Sequence, residues 1–303
     1  GRSRQAIDEL EAITHEQSDC EPAYVQQILA HGRLGDFRSA RMMFDIVMQT
    51  DEHNAQAYDY FAHCHAMRQR YDSAIRLWER VVELDPGYPD VLAHLGQAYL
   101  KVGRFGRARK LLRKHLRRQP EDVEAMVTLG RLLIAMNRHA EADETFRIAV
   151  EMSPSNASVH LSLGELALMH GHLDAAATRF RRAMELDAGC PGARLGLAMI
   201  ACDEGREAEA RRLLVEESAC DRHTPGQLLK IAGLLIRVGL PQRAVGLLTS
   251  AIHEPDQPLF VQRRHRAGPY HHRANALFQM GRLEAGIADA RAALRLDRAH
   301  TLA

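Results

Sequence analysis

Aromatic residues and an excess of either charge are what this 303-residue chain lacks. Only 5% of the residues are aromatic, with a single tryptophan, and 40 basic side chains nearly balance 39 acidic ones. The chain is therefore not a disordered polyelectrolyte, and its global charge predicts no particular partner. The longest apolar run, from Leu228 to Ile236, contains Lys230 and Gly233 and falls short of the roughly 20 residues that span a bilayer. No transmembrane segment is predicted, although a hydrophobic content of 46% is enough for a sizeable core.

Cysteine pairs are also missing. The five cysteines are widely spaced and form no CxxC motif, which argues against a disulfide framework and against a thiolate metal site. We therefore expect reduced thiols, most of them packed in the interior. The five are Cys20, Cys64, Cys190, Cys202 and Cys220.

Catalytic motifs are equally absent, since the chain has no Walker phosphate loop, no GxGxxG, no GxSxG and no HExxH. Histidine is abundant, at 17 residues. However, histidines two positions apart, such as His63 and His65, point away from each other on a helix. We expect no catalytic residues, no cofactor and no metal site.

What the chain does have is a period of 34 residues. Alanine recurs at this step seven times, a large apolar residue follows it four positions later, and a turn glycine recurs in most units. The alanines are Ala40, Ala74, Ala108, Ala142, Ala176, Ala210 and Ala244, and the large residues are Phe44, Trp78, Leu112, Phe146, Phe180, Leu214 and Leu248. One supersecondary unit is being repeated.

Each unit has the pattern of two amphipathic helices joined by a turn. Apolar residues keep a helical spacing from Val91 to Tyr99 and again, after Gly103, from Ala108 to Leu116. Glycine at the turn supplies the left-handed backbone that ends the first helix, and a proline stops the second. The recurring alanine lets the two helices approach closely. The predicted fold is all-α and built from helical hairpins.

The motif Leu95-Gly96-x-x-Tyr99 and the set Ala142, Phe146 and Pro154 resemble the signature of the tetratricopeptide repeat family, which has the same period. The resemblance covers nearly the whole chain and implies a right-handed α-solenoid, or superhelix. It places seven contiguous units in residues 21–258 and an eighth in residues 267–303. Residues 1–20 would be the second helix of a truncated unit, and residues 259–266 an inserted basic segment.

Two residues depart from the family pattern. Ile28 replaces a glycine of the first helix, and His115 replaces a small packing residue. We expect wider helix spacing at both positions and a His115 side chain that tilts out to solvent.

The end of the chain offers no capping helix for Leu283, Ile287 and Leu294. We therefore expect a fragment of a longer chain whose apolar ends self-associate. A cytoplasmic location is slightly preferred to a periplasmic one.

Nine basic residues and no acidic one lie between Lys101 and Arg118. Four of them share one face of a predicted second helix and are called here the basic stripe: Arg107, Lys110, Lys114 and Arg117. The stripe is either a solvated face or an electrostatic docking surface for an acidic partner, an anionic membrane or nucleic acid.

The resemblance also implies that the first helices line a concave surface on which family members bind their ligands. The residues that we assign to partner binding on it are Asp59, His63, Gln97, Arg131, Glu165, Leu195, Met199, Leu229, Ile236, His271 and Asn275. An exposed apolar floor for a partner side chain is expected from Leu161, Leu195, Met199, Leu229 and Ile236. The alternative is packing between neighbouring repeats, with an ion pair between Arg131 and Glu165.

These patterns favour a scaffold or adaptor that binds a protein or peptide partner. The second hypothesis is the non-catalytic repeat region of a larger enzyme or export assembly, such as a glycosyl- or sulfotransferase or a polysaccharide export protein. Nucleic-acid binding is the weakest hypothesis, because near-neutral charge and few aromatics supply little phosphate contact or base stacking.

Overall fold

The computed structural model of the chain describes residues 2–17, 20–190, 192–220, 223–253 and 267–301. Within these ranges all regular secondary structure is α-helical, so the predicted all-α class is confirmed. The helices are α1 (Arg2–Glu16), α2 (Glu21–Arg33), α3 (Phe37–Thr50), α4 (Ala55–Met67), α5 (Tyr71–Leu84), α6 (Val91–Lys101), α7 (Phe105–Arg118), α8 (Val123–Ala135), α9 (His139–Met152), α10 (Ala157–Met169), α11 (Leu173–Leu186), α12 (Ala193–Asp203), α13 (Glu207–Glu217), α14 (Pro225–Arg237), α15 (Pro241–His253), α16 (Ala267–Gln279) and α17 (Leu283–Thr301). The predicted basic insertion, residues 259–266, lies outside the described residues.

The chain divides into two compact units, called here the N-terminal unit (Gly1–Met136) and the C-terminal unit (Asn137–Ala303). The N-terminal unit contains α1 to α8, and the C-terminal unit contains α9 to α17. In each unit a first helix packs against the second helix of its own repeat, as α4 does against α5 and α10 against α11. No helix in the described ranges is both long enough and apolar enough to cross a bilayer.

The turns inside the helical pairs need a left-handed residue. Glycine fills this position in six repeats, with φ between 72° and 81°, as at Gly103. In the other two repeats Gln69 and Asn137 adopt the same conformation, with φ of 55° and 59°. The predicted role of the turn glycines is therefore confirmed, and two other residue types accept the conformation at some strain.

Helix starts are fixed by short polar side chains. The carboxylate of Asp36 accepts the N–H of Ser39, and Asn54 and Asp122 play the same role for α4 and α8. Such caps satisfy backbone donors that have no partner within the helix, and each contributes about 1 kcal/mol.

The interface inside each pair is built from the residues of the 34-residue period. All seven recurring alanines are fully buried, and the large residues beside them are at most 8% exposed. The approach is so close that a Cβ atom on Gly96 would lie 2.6 Å from Cγ of Leu112. The small and large residues therefore interlock, as the pattern predicts.

The expectation that His115 reaches solvent is wrong. Its side chain is only 3% exposed, and its Nε2 lies 2.6 Å from Oδ2 of Asp122. The other oxygen of Asp122 accepts the N–H of Ala125 and caps α8. His115 thus joins the end of α7 to the start of the next helix through a buried polar contact.

The cysteines are free thiols, as expected. Cys64, Cys190 and Cys202 are buried, Cys20 is half-buried and Cys220 is exposed. At the far end of the chain, Leu283 and Leu294 are 61% and 58% exposed. Their apolar surface faces solvent in the described part of the chain.

Candidate functional site

The ninth residue of each repeat lies on the first helix and is accessible to solvent in every repeat. It is half-buried or exposed in all eight repeats, whereas the eighth residue is buried in all of them. The ninth-position row consists of Leu29, His63, Gln97, Arg131, Glu165, Met199, Gly233 and Asn275. Because packing holds the eighth position inside, the ninth is free to vary and to contact a ligand.

In the N-terminal unit the predicted partner-binding residues differ in access. Gln97 is exposed, and His63 and Arg131 are half-buried. Asp59 is buried, with 7% of its side chain exposed. A partner can therefore touch Gln97, but it reaches Asp59 only through the side chains around it.

In the C-terminal unit the expected apolar floor is partly wrong. Leu161 and Leu195 are 6% and 4% exposed and belong to the core, because neighbouring helices cover them. Met199, Leu229 and Ile236 are partly buried and pack on that core. These three side chains therefore keep some accessible apolar surface on the first helices α12 and α14.

Polar residues flank the apolar ones on the first helices of the C-terminal unit. Glu165 is exposed on α10, and His271 and Asn275 are exposed on α16. Nδ2 of Asn275 lies 3.4 Å from Nε2 of His271, one helical turn away. In the sequence, a hydrogen-bonding group therefore precedes Met199 and Leu229 at Glu165, and two others follow them at His271 and Asn275.

A polar cluster that the sequence analysis missed lies in the N-terminal unit. His63 follows Asp59 by one turn on α4, and His94 comes from α6. Nε2 of His63 and Nδ1 of His94 lie 3.5 and 3.7 Å from Oδ1 of Asp59. The available signal was an aspartate and a histidine four residues apart, with a second histidine one repeat later.

The basic stripe lies on α7, and all four of its side chains are exposed. Arg107 donates from Nη1 to the hydroxyl of Tyr99 at 3.2 Å, and its guanidinium lies 5.6 Å from the centre of that ring. Within the described part of the chain, no acidic side chain forms an ion pair with Lys110, Lys114 or Arg117. Three of the four stripe residues are therefore open to an external anionic partner.

Family models for the tetratricopeptide repeat match most of the chain. One matches residues 66–129 and 167–225, a second matches residues 25–89 and 127–189, and a third matches residues 267–300. No curated protein sequence gives a significant match.

Solved structures with a similar fold span most of the chain. A chain of the Cut9–Hcn1 hetero-tetramer of the APC/C is 16% identical with a TM-score of 0.62, and the match covers 98% of this chain but only 57% of that one. A tetratricopeptide repeat protein from Parabacteroides merdae is 15% identical with a TM-score of 0.60, with 88% and 99% of the two chains covered. Human IFIT1, solved as a dimer with m7Gppp-AAAA, is 13% identical with a TM-score of 0.63, with 96% and 76% covered. At these identities the likeness shows the fold alone, which is the predicted all-α repeat solenoid.

Proposed function

This chain belongs to the tetratricopeptide repeat family, and we propose that it is a non-catalytic scaffold that holds a segment of another protein along the first helices of its repeats. An interaction scaffold is the role that the fold supports in general. The finer proposal is that the ninth-position row makes the contacts and that the C-terminal unit supplies the apolar anchor.

The regular exposure of the ninth position carries this proposal. A residue that the repeat packing required would be buried in most repeats, as the eighth position is. Instead the ninth position is accessible in every repeat and holds apolar, acidic, basic and amide groups. Within each unit, accessible and chemically varied side chains on packed first helices form the kind of surface that recognises an extended or helical segment.

Met199 and Leu229 form the centre of the proposed contact in the C-terminal unit. Both are partly buried against the core formed by α12 to α16, so their positions are fixed while some apolar surface stays accessible. Fixed apolar side chains lose little conformational entropy on binding and make good anchors. Methionine also adapts to partners of different shape.

A position-specific cross-linking experiment tests which helices touch the partner. A photoreactive amino acid replaces Glu165 on α10, and in a matched control it replaces Arg181 on α11, the exposed second helix of the same repeat. We expect adducts with a partner from Glu165 and not from Arg181. Equal yields at the two positions, or more at Arg181, would contradict binding on the first helices.

A substitution then tests the anchor. Met199→Glu places a charge in the apolar contact and should weaken partner binding at least about tenfold, or about 1.4 kcal/mol. Met152→Glu is the matched control, because Met152 is 42% exposed at the end of the second helix α9. Circular dichroism should show that both variants keep the helicity of the parent chain. If they then bind the partner equally strongly, Met199 does not contact it.

A further inference from the structure

The cluster of Asp59, His63 and His94 stands apart from the repeat packing. The fifth position of a first helix is apolar in six of the eight repeats, for example Val25 and Val127, whereas Asp59 occupies it in the second repeat. Burying a carboxylate costs free energy unless it is paired and hydrogen-bonded. The packing of the hairpin does not need this acid, so its presence calls for a ligand or a dedicated network.

Asp59 is held in position by two aromatic side chains. Nε1 of Trp78 donates to its Oδ1 at 2.8 Å, and the hydroxyl of Tyr88 lies 3.4 Å from its Oδ2. The site therefore contains a carboxylate fixed in position.

The two imidazoles turn nitrogen atoms toward this carboxylate, which Trp78 and Tyr88 already contact. Nδ1 of His94 is buried and has no hydrogen-bond partner among the described residues. The nitrogen-to-oxygen distances of 3.5 and 3.7 Å are longer than good hydrogen bonds.

These distances suit a shared cation. The three ligand atoms all lie within 4.8 Å of one another. Zinc binds imidazole nitrogen at about 2.0–2.1 Å, and the edge of such a tetrahedron is about 3.3 Å. The two nitrogen-to-oxygen separations, at 3.5 and 3.7 Å, already lie close to this edge, and the separation of the two nitrogens is at most 4.8 Å.

We propose that Asp59, His63 and His94 form a binding site for one zinc ion, with Oδ1, Nε2 and Nδ1 as the respective ligand atoms. Two histidines and one carboxylate are a common ligand set for this ion, and three protein ligands leave a fourth position for water. About a third of the His63 and His94 side chains is exposed, at 32% and 28%, so the fourth position opens to solvent. The N–H of Trp78 on Asp59 is the kind of outer contact that orients a metal ligand.

Trp78 makes the site observable, because it is the only tryptophan of the chain and bonds directly to Asp59. Co²⁺, which occupies zinc sites and quenches fluorescence, is titrated into the whole chain, and Zn²⁺ is then added as a competitor. We expect one equivalent of Co²⁺ to quench Trp78, to give the visible absorption of a low-coordinate cobalt site, and to be displaced by Zn²⁺. The bound Co²⁺ should also shift proton signals from two imidazole rings, a measurement that needs no variant.

Variants assign the ligands. Asp59→Asn keeps an oxygen for the N–H of Trp78 but loses the charge, and His94→Gln removes one ligand. Each should weaken Co²⁺ and Zn²⁺ affinity at least about tenfold, while His271→Gln and His115→Gln leave it unchanged. Absence of quenching by one equivalent, or equal affinity in Asp59→Asn and the parent, would overturn the proposal. Loss of binding in His115→Gln alone would place the ion elsewhere and overturn it as well.

Discussion

The buried ion pair between Arg273 and Asp289 predicts how strongly the last helical pair is held. Arg273 donates from Nε and Nη2 to the two oxygens of Asp289, at 2.6 and 2.9 Å, and from Nη1 to the hydroxyl of Thr249 at 3.1 Å. Only 13% and 11% of the two charged side chains are exposed. The pair thus joins α15, α16 and α17.

The substitution Arg273→Met should destabilise this region by about 3 kcal/mol, because it leaves the carboxylate of Asp289 buried without a cation. This is the lower end of the usual cost, since both side chains keep some contact with water. The control pair is Arg147 with Glu144, which is also bidentate, at 2.7 and 3.0 Å, but 61% and 56% exposed. Arg147→Met should cost only about 0.5 kcal/mol or less.

Amide hydrogen exchange is the assay, because repeat arrays open locally and a single unfolding curve would average over them. A loss of 3 kcal/mol corresponds to about 150-fold faster exchange in α16 and α17. The double variant Arg273→Met, Asp289→Leu should recover most of the loss, since no buried charge remains. If Arg273→Met accelerates exchange no more than Arg147→Met does in α9, burial is not what gives the pair its strength.

Three further predictions concern the surface. Replacing all four residues of the basic stripe by glutamate should lower the affinity for a partner and weaken the dependence of that affinity on salt concentration. If the salt dependence of binding is unchanged, the stripe is only a solvated face. Iodoacetamide at neutral pH should modify the exposed Cys220 before Cys64, because burial raises the pKa of Cys64 to about 12. Mass spectrometry of the peptides measures the order in which the two thiols react. The double variant Leu283→Glu, Leu294→Glu should reduce concentration-dependent self-association in light scattering, whereas a parent chain that stays monomeric at high concentration would refute association through this apolar end.

The period of the sequence was enough to predict the core and the turns. A residue that recurs every 34 positions meets the same neighbours in each repeat. A correct prediction that Ala108 or Leu112 is buried therefore applies to the equivalent residue of every repeat. Even Gln69 and Asn137, which are not glycine, take the left-handed conformation that their place in the period demands. The place in the period therefore fixes the conformation even at Gln69, whose residue type rarely adopts it.

Burial on the first helices was harder to predict, because it depends on contacts between repeats. The fifth and ninth positions differ by four residues and share one helix face. Nevertheless Leu195 is in the core while Met199 is partly accessible. A periodicity argument gives the face of a helix, but it does not say how far a neighbouring helix covers that face.

The burial of polar residues that replace apolar ones in a repeat, His115 and Asp59, was also mispredicted from the sequence period. His115 looked like an exposed exception, yet it meets Asp122 at 2.6 Å and both groups are satisfied within the fold. Asp59 was grouped with exposed residues, yet it is buried with two imidazoles at distances too long for good hydrogen bonds. A polar residue that replaces an apolar one in a repeat needs an interaction that offsets the free-energy cost of its burial. His115 has one in its contact with Asp122. In the Asp59 cluster Nδ1 of His94 is buried without a hydrogen-bond partner among the described residues, which is why that departure, and not His115, points to a ligand.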